Sequence, residues 1–334
     1  MVSDKCPKQT GRFPAILIEA DTIGEAYHRA VIECYERGCR AQTPKHREGM
    51  PLGCDAHITI KVNFPDREPL IHKRGLVEDP RGIVQYILEV THGIHNHWKK
   101  DINNPNDTRW GYTYNERFSE QMPFVFAKIE NDHKKKGRVS GRDYFFSIWR
   151  VREDSILEQE DPPCWQSGQL RFIEDDKGDL FLNFLSYWRS RDLAKAWNEN
   201  VIAMSRLHRL LAAKASNILG REVKIGSYID TSASLHLYGA YFAENFDRHI
   251  EAMRRGKASD FTMSLEDFIG DESYLKRVIA AQMDYEKKTG QKNASEQALK
   301  EAGYDLQTFP YPEEWGRWPR EWDIKPDPKM LLGR

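Results

Sequence analysis

No stretch of the sequence approaches the ~20 consecutive apolar residues that a membrane-crossing helix needs. Residues 1–12 are polar, without the apolar core of a secretion signal, so a soluble, cytoplasmic protein with no membrane partner is expected. Charge of one sign is missing too. Against 50 Lys and Arg stand 51 Asp and Glu, a net charge of -1, which leaves no excess to bind a phosphate backbone and argues against a nucleic acid polymer as partner. Cysteine is sparse and odd in number. Cys6, Cys34, Cys39, Cys54 and Cys164 show no C-x-x-C spacing, which argues against a disulfide framework or a zinc knuckle and for reduced thiols. No internal repeat is present.

What remains is ample for a core: 334 residues, 40% of them hydrophobic, enough for one large domain or two ordinary ones. Residues 14–20 read as a short apolar strand, and Asp21-Thr22 as the N-cap of a helix. Along that helix Ile23, Ala26, Tyr27, Ala30, Val31, Cys34 and Tyr35 recur at helical spacing before Gly38 stops it. Cys34 lies on the apolar stripe, which assigns it to packing. A basic loop over 43–53 carries Lys45, His46 and Arg47 and reads either as mobile surface or as a lid whose arginine closes on a phosphate. His57, Thr59 and Lys61 then alternate with Ile58, Ile60 and Val62 as in a half-buried strand.

Pro80 opens a second helix, with Ile83, Val84, Ile87, Leu88 and Val90 on its apolar face. Glu89 is carried within this stretch, either partly buried and functional or turned to solvent. His92, His95 and His97 follow, but without the carboxylate or cysteine spacing that a metal site requires, so no metal is expected. The aromatics at 110–114 suit stacking on a ring or ordinary core packing. A helix over 122–131 runs into the basic cluster 133–136, and Arg142 stands just before a strand over 144–149.

The stretch 162–192 holds the most chemistry. Pro162 and Pro163 fix the backbone ahead of Cys164, and Arg189-Ser190-Arg191-Asp192 returns after a strand-like passage. Arginine beside a thiol favours the thiolate, and its fork of donors suits a phosphate. The plainer alternative is a buried apolar cysteine and a solvated turn. Segments 169–172 and 180–187 read as paired strands joined by a hairpin loop over 174–178. A helix over 197–211 has Asn198 and Asn200 in its first turn, 223–229 is a further strand, and 232–238 leads into a helix reaching about 255. Residues 257–334 are helical to about 290 and then rich in Pro and Trp, an extended segment pinned by aromatic anchors.

Taken in order, Pro163-Cys164, Arg189-Ser190-Arg191-Asp192, Asn200 and His236-Leu237-Tyr238 resemble the pattern of the thymidylate synthase superfamily over residues 14–256. The flavour is similar to its archaeal-type members. Trp165 replaces the histidine usual after the nucleophile, Trp188 the glutamine before the arginine, and Ser234 an aspartate before His-x-Tyr. The resemblance implies an α+β fold: a mixed β-sheet flanked by helices, thymidylate synthase-like, with a sheet face packed in a homodimer that shares its active sites. It leaves residues 257–334 as an extension on a catalytic domain of 14–256.

It further implies a folate-dependent one-carbon transfer to C5 of a pyrimidine nucleotide, with 5,10-methylenetetrahydrofolate or a related pterin as cofactor. Cys164 would add to C6. Arg47, Arg189 and Arg142, the last donated by the other subunit, would hold the phosphate with Ser190. His236 and Tyr238 would bind the sugar, Glu89 would relay protons, and Tyr114 would stand close to the thiol. Asp192 would contact the pterin or hold the nearby backbone. Asn200 can donate to O4 and accept from N3-H, which suits uracil, where an aspartate would suit cytosine. Three readings follow: a thymidylate synthase acting on dUMP, a hydroxymethylase acting on dCMP, CMP or dUMP, and a catalytically silent nucleotide binder.

Overall fold

A computed structural model describes residues 11–42, 48–76, 78–100, 111–157, 159 and 161–327. Its strands are β1 (Ala15–Ala20), β2 (Cys39–Ala41), β3 (Gly53–Val62), β4 (Ile71–His72), β5 (Phe145–Ser147), β6 (Trp165–Glu174), β7 (Leu180–Trp188), β8 (Arg191–Asp192), β9 (Val223–Leu237) and β10 (Thr262–Met263). The helices are α1 (Ile23–Arg37), α2 (Pro80–His92), α3 (Tyr114–Ser119), α4 (Met122–Lys136), α5 (Val151–Asp154), α6 (Trp197–Leu219), α7 (Gly239–Ala243), α8 (Phe246–Arg255), α9 (Ala258–Phe261), α10 (Leu265–Ile269), α11 (Glu272–Thr289) and α12 (Glu296–Glu301).

The main sheet runs β1-β3-β9-β7-β6-β5, with β2 added on β3 and β8 on β9. It is mixed. β1 lies parallel to β3, and β9 parallel to both β7 and β8, whereas β3/β9, β6/β7 and β5/β6 are antiparallel. Parallel neighbours need a long crossover, which α1 supplies between β1 and β3. Thr22 caps α1 by accepting from the Glu25 amide. Gly38 ends it with extended backbone, and glycine is needed there because a Cβ would lie 2.4 Å from the Cys34 carbonyl oxygen.

Alternation along each strand sends Ile16, Ile18, Ile58, Ile60, Phe184 and Tyr228 inward, into a core shared with α1, α2, α4 and α6. The alternate residues face the other way, where Leu17, Ile173 and Phe145 are 75%, 54% and 50% exposed. Helices after residue 256 join the same core through Leu265, Ile269, Leu275 and Ile279. Trp315 and Trp322 are buried anchors of the Pro- and Trp-rich segment, and Trp322 donates to Ser119 Oγ at 2.9 Å while packing on Phe118 and Phe126.

Several elements run longer than the periodicity predicts, among them β3 and β6. The lysines of 134–136 are helical, because Glu130 pairs with Lys134 and Asp132 with Lys136 one turn apart, and Gly137 caps α4 in the left-handed region. Helix α6 continues to Leu219, where Gly220 stops it at φ 62°. The largest difference is β9. It extends through Leu237 instead of ending at 229 with 232–238 as a lead into the next helix, since β3, β7 and β8 pair with it and Arg191 accommodates the buried polar side chains of Asp230 and Ser232. The helical stretch beyond it is split into α7 and α8 by Asn245 in the left-handed region.

Candidate active site

The β6/β7 hairpin builds one wall of the site. Asp175 Oδ1 accepts from the amides of Lys177 and Asp179, Gly178 adopts φ 82°, and the resulting register holds as far as Ser167 opposite Tyr187, where a bulge shifts it to set Trp165 opposite Trp188. One residue further out, the Arg189 amide donates to the Cys164 carbonyl at 2.8 Å. The Arg189 side chain folds back over the turn, with Nε donating to Pro163 O at 3.1 Å and Nη2 to Pro162 O at 2.6 Å. Two proline carbonyls are thereby clamped, so the turn that aims Cys164 is tied to the arginine as well as stiffened by its rings. Part of the guanidinium's five-donor fork remains for a ligand.

Cys164 is half-buried, not walled off. Burial pushes its thiol up, and Arg189 and Arg191 oppose this without overcoming it, while Asp161 adds to the rise. The arginines thus favour the thiolate as expected, but desolvation outweighs the guanidinium charge and the thiol is the resting form at neutral pH. Tyr112, Tyr114 and Tyr238 lie within electrostatic reach of the sulfur, each with its hydroxyl pKa raised chiefly by burial. Tyr114 opens α3 and meets Trp165 and Trp188 edge-on at 5.7 and 5.8 Å, and the two indoles stack on each other. The tryptophans are thus core supports under the site.

Arg191 is buried beneath the same place, its guanidinium 3.8 Å above the Trp188 ring. Nη2 donates to Asp230 Oδ1 at 2.5 Å and to Ser232 Oγ at 3.2 Å, and Asp230 also accepts from Ser186, Tyr228 and Trp197. Next to it, Asp192 accepts from the amides of Ala194 and Lys195 and from the Tyr241 hydroxyl. It therefore holds backbone, one of the two uses expected for it. His236 is the β9 partner of Asp192, and its ring lies 4.6 Å from that of Tyr238.

The opposite wall comes from α2 and α6. Asn200, in the first turn of α6, donates through Nδ2 to the Tyr86 hydroxyl at 2.6 Å. Tyr86 in turn lies within electrostatic reach of Tyr114, Glu89 and Arg191. Glu89 is half-buried, 2.7 Å from His95 Nδ1 and 3.1 Å from Gln85 Nε2. His95 also stacks on Trp98, and His92 bonds the carbonyls of Glu314 and Arg317. The histidine-rich turn thus serves packing and Glu89. Among the described residues no group of three or more His, Cys, Asp or Glu is arranged to hold a metal ion, and no helix is long and apolar enough to cross a membrane.

The structure therefore brings Cys164, Arg189, Tyr114, Asp192, His236 and Tyr238 together, with half-buried Ser190 between Arg189 and Arg191, and reaches Asn200 and Glu89 through Tyr86. Arg142 is exposed beyond β5, its carbonyl accepting from Gln169 Nε2. Gln169 lies five residues along β6 from Cys164, about 16 Å away at strand spacing, so Arg142 does not reach the thiol of its own chain. Arg47 lies outside the described residues. Sequence reasoning missed Tyr86 and the buried role of Arg191. A signal existed for Tyr86, which stands three residues before Glu89 and so shares its helix face.

Fold and site together define a mixed α/β protein with a half-buried thiol, guanidinium groups flanking it and three tyrosines within electrostatic reach of the sulfur. No protein-family model matches the sequence, and no curated protein matches it. Among solved structures, a thermostable thymidylate synthase A from Bacillus subtilis is similar at 17% sequence identity and a TM-score of 0.44, over 67% of this chain and 82% of that one.

Proposed function

We propose that this chain transfers a folate-borne one-carbon unit to C5 of a pyrimidine nucleotide through a covalent adduct between Cys164 and C6, and that its reaction is dUMP to dTMP. The observation that carries the reading is the meeting of Cys164 and Arg189 at one hairpin end, with His236 and Tyr238 beside them. An anion on Arg189 and Ser190 would set a pyrimidine ring over the sulfur, the positional advantage covalent attack requires. Sulfur bonds to C6 as its proton leaves, and the C5=C6 electron pair moves toward C5 and O4. The adduct then attacks through C5. Once C5 has bonded to the donated carbon, loss of the C5 proton would let that carbon's bond to its carrier break, and hydride addition to the resulting exocyclic methylene would expel the sulfur and restore the C5=C6 double bond. Because the thiol rests protonated, Arg189 and Arg191 act as sulfur becomes anionic.

Methylenetetrahydrofolate would supply the one-carbon unit and, for a methyl product, the hydride. Asp192 fits the donor-rich edge of a pterin: three donors engage it, and a carboxylate accepts about four. Glu89, reaching Tyr86 on one side and His95 on the other, is the group assigned to proton relay. The sheet face exposing Leu17, Phe145 and Ile173 would meet a second copy, whose Arg142 would complete the phosphate site. Residues 14–256 would form the catalytic body and 257–334 its extension.

The test incubates the protein with methylenetetrahydrofolate and dUMP, dCMP or CMP and weighs the nucleotide. A gain of CH2 on dUMP is expected. A gain of CH2O on any of the three would replace the reading by a hydroxymethylase, and bound but unchanged nucleotide would leave a binder.

A further inference from the structure

Strands β3 and β9 set Asp55 directly across from His236. Between their side chains stands Ser234. Its Oγ donates to Asp55 Oδ1 at 2.8 Å and lies 3.3 Å from His236 Nδ1. A serine hydroxyl has one proton. Once that proton is given to the carboxylate, the serine turns only lone pairs to Nδ1, so in the neutral ring Nδ1 carries the hydrogen and Nε2 the lone pair. We propose that Asp55, acting through Ser234, is a positioning residue that fixes the His236 proton on Nδ1 and so selects ligands that donate a hydroxyl to Nε2. For the identity of that hydroxyl, a sugar hydroxyl of the nucleotide, this rests on the function proposed above.

The relay has a built-in pH dependence. Burial pushes the Asp55 carboxyl up to about 6, against the hydrogen bonds from Ser234 and the Ala56 amide. Among the described residues, the groups packed around it are engaged elsewhere. From β2, Cys39 donates to the Asp55 carbonyl and its thiol is pushed up by burial. Arg40, on the same strand, is permanently charged and directed to Cys54 and the Tyr35 carbonyl. From α1, Cys34 is buried with its thiol pushed well up. From β8, Asp192 pairs with the backbone of His236 and is held by its own three donors. Below about pH 6 the Asp55 carboxyl becomes a donor, the Ser234 hydroxyl turns to the ring, and the ring proton moves to Nε2. The acceptor has then become a donor.

Ring nitrogen NMR on the full-length, ligand-free protein reads the tautomer directly, with His236 assigned by its loss in His236→Gln. Wild type is expected to carry hydrogen on Nδ1 at pH 7.5 and on Nε2 at pH 5.5. Asp55→Asn keeps an oxygen acceptor for Ser234 and cannot ionise, so it should hold Nδ1-H at both pH values. Ser234→Ala, should the first variant misfold, uncouples the ring and abolishes the acid step. Hydrogen on Nε2 at pH 7.5, both ring nitrogens protonated at pH 5.5, or one pH profile shared by all three proteins would overturn the proposal.

A binding arm uses dUMP. Its phosphate titrates near pH 6, so the readout is the difference between proteins: between pH 7.5 and 5.5 wild type should lose about tenfold more affinity than Asp55→Asn, the scale of one hydrogen bond. An equal loss in both proteins would overturn the link to ligand selection. If the tautomers behave as expected and dUMP does not bind at all, the relay stands and the nucleotide reading falls.

Discussion

Asn200 donates to the Tyr86 hydroxyl at 2.6 Å across 114 residues of chain. One hydrogen of the amide is thereby engaged, leaving one N–H and the carbonyl oxygen, a donor and an acceptor side by side. That pair matches the O4 and N3-H edge of uracil. Tyr86 thus presents the amide in one of its two possible faces, and the choice is made from beneath the site by a residue of another helix.

Tyr86→Phe should release this constraint. The amide can then turn over, presenting the pair in the reverse order, which suits cytosine. About a tenfold loss in kcat/KM on dUMP is expected, the scale of one hydrogen bond, with a smaller loss or a gain on dCMP. An equal loss on both nucleotides would mean that Tyr86 acts by packing alone.

The thiol offers a direct electrostatic test. Because burial raises the Cys164 pKa and Arg189 opposes the rise, the rate of Cys164 alkylation by iodoacetamide should climb with pH to a midpoint above that of a free cysteine. Arg189→Met should move the midpoint further up, and Cys164→Ser should abolish both alkylation at this site and product formation. A midpoint below that of free cysteine would contradict the dominance of burial.

The Arg191–Asp230 pair is buried on both sides. Removing one partner leaves a charge in the core, so Arg191→Met should cost about 3 to 5 kcal/mol of stability, read as a lower urea midpoint. Replacing both, Arg191→Met with Asp230→Leu, should recover part of the loss. No recovery would place the cost in the surrounding hydrogen bonds of Ser186, Tyr228 and Trp197 instead.

His72 contributes to acid stability, as does the similarly buried His208. His72 is fully buried, 3.3 Å from His28 Nδ1, and burial lowers its pKa from 6.5 to about 3. Below pH 6.5 the unfolded chain binds a proton there that the folded chain refuses, so stability rises with pH between about 3 and 6.5 and falls on acidification. One such ring contributes about 1.4 kcal/mol per pH unit. Urea midpoints measured across this window should therefore be steeper in wild type than in His72→Gln.

Several parts of the fold were legible because their causes are local. Asp79, Pro80 and Gly93 bound α2 through a cap, a locked φ and a left-handed turn. Cys34 lies on the buried stripe that its helical spacing predicts. The end of β9 was not legible, because a run holding Asp230, Ser232 and Ser234 looks too polar for a central strand until Arg191 and Asp55 arrive from elsewhere to satisfy it.

By itself the sequence determined which residues could meet within one hairpin. A short turn over 174–178 brings the end of β7 back to the start of β6, and a bulge between Trp165 and Ser167, which no spacing announces, sets Arg189 against Cys164. Tertiary structure alone decided the state of those residues and their company. The height of the thiol pKa depends on how much water the surrounding tyrosines exclude, and the pairs Asn200–Tyr86 and Asp55–Ser234 depend on strand order and helix packing. Neither spacing nor composition encodes these, since each joins residues more than a hundred positions apart.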